Sequence, residues 1–134
     1  MSLPELGQGV ARRLYAAATA GGTDSFTLTD DVALRLAAAC DALVVDLEAA
    51  RAGGRPLAAA PVTAGFPVLP TGHALADGFA GNAGEYLDTL TALQETALRF
   101  KAAYQAAAGR LTEADLANRA ALTVATQAEG GGHG

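Results

Sequence analysis

A long run of apolar residues at alternating spacings of three and four constrains the fold of this chain more than any other sequence feature. The run comprises Ala83, Tyr86, Leu90, Leu93, Ala97, Phe100, Tyr104, Ala107 and Leu111, with Leu75 and Phe79 extending it backwards. This heptad pattern predicts a long helix over residues 72–108 with one apolar seam. Such a helix is roughly 57 Å long, whereas a compact globule of this chain length has a radius of gyration of only ~14 Å. The sequence therefore predicts an elongated antiparallel helical hairpin.

The other arm of the hairpin is predicted over residues 28–52. Its apolar stripe consists of Val32, Leu36, Ala39, Leu43, Leu47 and Ala50. Thr27 or Thr29 is expected to cap this helix, because Asp30 and Asp31 follow in a first turn that favours anions. Gly53-Gly54 and Pro56 are expected to end it. The Pro- and Gly-rich residues 56–72 are then the connecting loop, with Gly65, Phe66 and Pro67 at the inter-helix turn.

Two shorter helices are predicted to flank the hairpin, over residues 3–20 and 112–125. Ser2, Pro4 and Glu5 form a capping-box pattern before the first, and Leu6, Val10, Leu14 and Ala17 give it an apolar stripe. Gly109 separates the last helix from the long one. The chain is thus predicted to be a single all-α domain over residues 1–128, followed by a flexible Gly-rich tail over 129–134.

Charge and composition argue against several classes of partner. The formal net charge is −5, and Lys101 is the single lysine, so a basic nucleic-acid surface is not expected. No run approaches the roughly 18 apolar residues of a membrane span. The N-terminal residues also lack the apolar core of a cleavable signal peptide. We therefore expect a protein made in the cytoplasm, without membrane insertion.

The residues that could carry chemistry do not form a recognisable catalytic or metal-binding set. Cys40 is the single cysteine and lies among alanines on a helix, which is typical of a small buried core residue. His73 stands at the start of the long helix without a second ligand nearby, and no Glu-x-x-His pair of a di-iron bundle occurs. The sequence therefore predicts a non-enzymatic protein with no cofactor and no metal.

The layout resembles the WXG superfamily of type VII (ESX) secretion proteins, in particular the actinobacterial relatives. The resemblance is carried by Phe26 through Gly54, by Gly65-Phe66-Pro67-Val68-Leu69-Pro70-Thr71-Gly72, and by Leu75-Ala76-Asp77-Gly78-Phe79. The chain has no Trp, so Gly65-Phe66-Pro67 stands where that superfamily has its Trp-x-Gly turn. The export motif of these families, Tyr-x-x-x-Asp/Glu, has its best counterpart in Leu111 and Asp115, with Leu in place of Tyr. The resemblance implies a role as a type VII substrate or a partner of one, and secretion without a signal peptide.

Four apolar side chains lie off the two main stripes: Leu34, Val45, Leu87 and Leu98. A two-helix hairpin would leave them in water, and each would lose the roughly 1.5–3 kcal/mol of stabilisation that burial provides. We therefore expect a second chain, identical or similar, to cover them and complete a four-helix bundle. The competing explanation is that the N-terminal helix covers part of this surface. The alternative to the secretion role is a cytosolic adaptor or chaperone that masks a partner's apolar helix and is not exported.

Overall fold

The computed structural model describes residues 3–21, 25–59 and 70–131. These residues form four helices: α1 (Gln8–Ala20), α2 (Asp30–Ala59), α3 (Pro70–Ala107) and α4 (Leu111–Gly131). No strand occurs among them. The all-helical prediction is confirmed for this part of the chain. The predicted turn at Gly65, Phe66 and Pro67 lies outside the described residues, as do the last three residues of the predicted tail.

Helix α3 is the central element, because α1, α2 and α4 all pack against it. α2 runs antiparallel to α3: Asp41 binds Lys101 at 2.8 Å, and Arg51 farther along α2 binds the earlier Gln94 at 2.9 Å. Residues 25–29 connect α1 to α2 across the end of α3, where the Leu28 amide donates to the Ala107 carbonyl at 2.9 Å.

The turn between α3 and α4 folds α4 back along α3. The Gly109 amide donates to the Ala106 carbonyl at 2.9 Å, and the Arg110 amide donates to the Gln105 carbonyl at 2.9 Å. These two bonds form a Schellman motif, whose left-handed residue is Gly109 with φ 77°. The glycine at this position therefore ends α3 and turns the chain so that α4 packs back against α3.

Small side chains make the closest helix contacts. The buried apolar residues of α4 are Ala114, Ala117 and Ala121, and those of α3 include Ala102, Ala103 and Ala106. Alanine buries little apolar area but allows two helix backbones to approach closely. The core is therefore a set of thin, close contacts around α3.

The start of α1 differs from the prediction. The helix begins at Gln8, not at residue 3, because Gly7 has φ 107° and cannot continue it. Glu5 precedes the helix and caps it from outside: its Oε1 accepts from the Gly9 amide at 2.8 Å. At α2 the Thr29 hydroxyl accepts from the Val32 amide at 3.3 Å, which fulfils one of the two predicted caps.

The ends of the later helices also differ from the prediction. α2 passes through Gly53-Gly54 to Ala59, because Gly54 lets Leu87 of α3 approach to 3.1 Å from the position of a Cβ. Glu48 adds support by binding Arg51 at 2.9 Å and Arg55 at 2.7 Å. α4 reaches Gly131, beyond the predicted end at 125, since no Gly or Pro interrupts its good helix formers before Gly130.

Candidate functional site

An open apolar groove of about 340 Å³ runs between α2 and α3. Its lining residues are Leu36, Ala39, Cys40 and Leu43 of α2, and Leu93, Thr96, Ala97, Phe100 and Tyr104 of α3. Both predicted stripes therefore contribute to the groove. The sequence had predicted that they face each other in the hairpin, but each turns only partly towards the other helix.

The reason is that smaller residues occupy the direct contact between α2 and α3. On α2 these smaller residues are Ala33 and Ala37, and of the predicted stripe Leu47 is buried beside them. Leu36 and Leu43 are one helical step to the side, because successive residues are turned by about 100°. Leu43 consequently remains 48% exposed, and Val32 extends the same exposed stripe. The groove is therefore a half-solvated apolar surface.

Helix α1 borders the groove on the side away from α2. A Cβ on Gly7 would lie 4.0 Å from the Phe100 ring. Arg12 and Tyr15 lie beside Arg99 of α3 and Asn118 of α4, on the opposite side of α1. By helix geometry the exposed Val10 lies on the Phe100 side. The apolar stripes of three helices thus border one open face of α3.

The polar atoms in the groove are few and are held in their neutral forms. Burial raises the pKa of the Cys40 thiol above its ordinary value; Asp41 adds to the rise and Lys101 opposes it. Burial also raises the pKa of the Tyr104 phenol. Phe100 and Tyr104 pack as a tilted pair with ring centroids 6.0 Å apart. The groove thus offers apolar contact and a weakly nucleophilic thiol, which suits binding better than catalysis.

The four residues predicted to form the partner interface do not share one exposed surface. Leu98 is only 8% exposed, and it lines a crevice with Leu116, Ala117 and Ala120 of α4. Leu87 is half-buried against Gly54. Leu34 and Val45 are exposed on α2, with Val45 at 66%. The C-terminal helix α4 therefore covers the Leu98 part of the predicted interface, whereas the competing explanation had named the N-terminal helix.

The predicted export motif lies on the surface of α4. Leu111 is exposed at the first position of the helix, and Asp115 binds Arg119 at 3.0 Å with both side chains exposed. Of the other candidates, the side chain of His73 and all of His133 lie outside the described part. Among the described side chains, His, Cys, Asp and Glu form no group of three that could hold a metal ion.

A buried ionic cluster joins α1 to α3 and lies outside the groove. Glu95 is 6% exposed and binds Arg99 at 2.7 Å and Arg12 at 3.5 Å. Gln8 also donates to Glu95 at 3.3 Å and to the Pro4 carbonyl at 2.9 Å. In the sequence, Glu95 and Arg99 show only the i,i+4 spacing of a helical ion pair. The sequence could not show that α1 brings a second arginine to the same carboxylate.

Comparison with known proteins adds no relative. No family model, curated protein or solved structure matches the chain. Among the described helices, none is long and apolar enough to cross a membrane.

Proposed function

We propose that the protein is a non-enzymatic interaction protein whose α2–α3 groove accepts an amphipathic helix of a second polypeptide. The observation that carries this proposal is the convergence of the α1, α2 and α3 stripes on one open face. In this arrangement α2 and α3 are the two arms of a helical hairpin, and a partner that is itself a helical hairpin adds the two further helices of a four-helix bundle.

The dimensions of the groove fit a helix. From Leu93 to Tyr104 it extends roughly 16 Å along α3, which is about three helical turns. A fully buried large aliphatic side chain is stabilised by roughly 1.5–3 kcal/mol relative to an exposed one. Covering the open half of Leu43 therefore contributes about 1 kcal/mol, and Val32, Phe100 and Tyr104 add to it. Apolar anchors at helical spacing are the usual basis of helix-in-groove binding.

Site-specific photo-crosslinking in the native host tests the groove. A photoreactive amino acid at position 43 points into the groove, whereas the same residue at position 45 lies on another side of α2. Position 45 is the matched control, because Val45 is more exposed than Leu43. We expect one dominant crosslinked polypeptide from position 43 and not from 45. Equal crosslinking at both positions, or none at 43, contradicts the proposal.

For the cellular role we propose a part in type VII secretion, as an exported substrate or as a partner of one. The resemblance in layout supports this role, and so does the exposure of Leu111 and Asp115, which makes both accessible to a receptor. The alternative is an adaptor that masks a partner's apolar helix in the cytosol.

Export of an Asp115→Ala variant distinguishes the two roles. The Asp115–Arg119 pair is exposed, so its loss should leave the fold intact. If Asp115 is part of an export signal, Asp115→Ala stays in the cells of a type VII-competent host while the wild type reaches the medium. Arg119→Ala, which breaks the same pair, is the control and should still be exported. Retention of the wild type in such a host favours the adaptor.

A further inference from the structure

We propose that a crevice between α1, α3 and α4 binds inorganic phosphate or the phosphate group of a small molecule. The crevice has a volume of about 240 Å³ and is lined by Ala11, Arg12, Tyr15, Arg99 and Asn118. It shares no lining residue with the α2–α3 groove, so this inference goes beyond the proposed function and does not rest on it. Four of its five lining side chains carry hydrogen-bond donors, and this is the feature that points to an anion.

Three helices bring these donors to one place. Arg12 and Tyr15 are three residues apart on α1, so their side chains are neighbours on one face of that helix. Arg99 comes from α3, and the turn at Gly109 folds α4 back so that Asn118 reaches the same crevice. The site is therefore assembled by the tertiary fold and has no motif in the sequence.

Other groups in the described part of the chain do not use up the donors. Arg99 donates from Nε to Glu95 at 2.7 Å, and neither of its Nη atoms has a hydrogen-bond partner there. The Arg12 guanidinium lies 3.5 Å from the same carboxylate, which is longer than an ordinary hydrogen bond. The Tyr15 hydroxyl and the Asn118 amide likewise have no partner among the described residues. All four side chains therefore have donors available to a ligand.

The charge around the crevice favours an anion. None of the described residues that line it carries a carboxylate, whereas Glu5 and Glu95 line a neighbouring crevice. Glu95 is in ion-pair contact with both lining arginines, so one of their two positive charges is uncompensated by the described residues. Glu5 instead accepts from the Gly9 amide. Asp115 and Arg119 of α4 bind each other and leave this balance unchanged. An anion in the crevice supplies the missing negative charge.

The number and kind of donors fit a phosphate group better than a carboxylate. A guanidinium presents two parallel N–H donors, which match two oxygens of a phosphate. A phosphate monoester has three strong acceptor oxygens and a charge of about −1.5 to −2 at pH 7. It can accept from both arginines, Tyr15 and Asn118 at once, whereas the two oxygens of a carboxylate leave some of these donors unpaired. The Arg99 side chain is largely buried, so salt screens its contact with the anion less than it screens a surface pair.

Titration calorimetry with inorganic phosphate tests the site. Ionic strength is held constant with sodium chloride, because general screening of surface charge would otherwise contribute to the signal. Tyr15→Phe removes one hydroxyl and keeps the ring, so we expect its affinity for phosphate to be about tenfold weaker than that of the wild type. Tyr86→Phe is the matched control, because it removes the same hydroxyl from an exposed ring of α3 outside the crevice. Its affinity should equal that of the wild type.

Asn118→Asp gives a second test with the opposite change of charge. The substitution keeps the size of the side chain but places a carboxylate beside the two arginines, where it supplies the charge that phosphate would bring. We expect this variant to unfold at a higher temperature than the wild type without phosphate, and to bind phosphate at least about tenfold more weakly. The raised unfolding temperature shows that the lost binding does not come from misfolding. The control is Gln127→Glu, which adds the same charge to an exposed position on the opposite face of α4.

Phosphate binding that is weakened by both crevice variants and by neither control supports the inference. No phosphate-dependent heat in the wild type at millimolar phosphate overturns it, and so does wild-type affinity in Tyr15→Phe or in Asn118→Asp. Acetate that binds as tightly as phosphate overturns the choice of phosphate. Neither crevice variant lies in the α2–α3 groove, so the crosslink from position 43 tests the groove independently of these outcomes.

Discussion

Replacing Glu95 by alanine should cost about 3 kcal/mol of stability, more than the loss of any surface ion pair in the protein. The Glu95 carboxylate is buried and holds Arg99 of its own helix and Arg12 of α1. It also accepts from Gln8, which is buried at the start of α1. The substitution therefore removes the common partner of three polar groups and the main polar link between α1 and α3.

The size of the effect follows from how far each arginine can reach water. Removing one partner of a buried ion pair costs about 3–5 kcal/mol, because the other charge is left uncompensated. The Arg99 side chain is 15% exposed and stays largely buried, whereas the Arg12 side chain is 55% exposed and can rotate into solvent. Only one of the two cations is therefore stranded, which places the cost at the lower end of that range.

Urea unfolding followed by circular dichroism measures this cost directly. The matched control is Asp115→Ala, which breaks an i,i+4 pair of similar geometry at an exposed site and should cost less than about 0.5 kcal/mol. Glu95→Gln keeps the side-chain volume and the contact with Gln8, so its effect should fall between the two. Hydrogen exchange should show that α1 loses protection first in Glu95→Ala. A cost below about 1 kcal/mol for Glu95→Ala would refute the claim that this carboxylate anchors α1.

Three further predictions use other parts of the fold. Leu98→Ala should lower the free energy of unfolding by about 2–4 kcal/mol, because α4 buries that side chain. Val45→Ala, at an exposed helical site, should be neutral or slightly stabilising. Thermal unfolding of both variants compares the two effects. The hydrogen bond from Arg55 lowers the pKa of Glu48 below its ordinary value of 4.5. Glu48 therefore adds stability that is present above that value and is lost as pH falls through the folded pKa, and Glu48→Gln should show a shallower acid-induced loss in a pH titration of unfolding. Cys40→Ala should cost about 1 kcal/mol of stability and leave function intact, so a folded variant that lost the crosslink from position 43 would contradict a purely structural Cys40.

Helix type and number could be predicted because periodicity and breakers act locally. Gly109 ends α3 with a positive φ, as its position suggested, and Gly21 ends α1 in the same way. The helix ends that could not be predicted depend on contacts between distant residues. Gly54 does not end α2, because Leu87 of α3 packs against its bare backbone. Glu5 lies before α1 and not within it, because Gly7 adopts a left-handed conformation.

The sequence predicted the residues of the candidate groove but not that they line an open surface. Its residues were identified correctly as apolar stripes, but periodicity shows which residues share a face and not what that face meets. The sequence also made the large off-stripe residues the more probable interface. α4 covers Leu98 with a face of alanines, and alanine gives little signal in a pattern of large apolar residues. The surface that stays open was therefore assigned to the core, and part of the core was assigned to the surface.

The sequence confused core and surface residues because of how an alanine-rich chain packs. Where alanines meet, helices approach closely and the contact is thin, so larger residues beside the contact remain only half covered. Ala33 and Ala37 form such a contact between α2 and α3, and Leu36 and Leu43 are left at its margin. Leu47 and Leu90 are buried in the hairpin, but Leu36 and Leu43 lie beside the alanine contact and stay only partly covered. Leu36 and Leu43 are therefore the residues of α2 that another helix in the groove would cover.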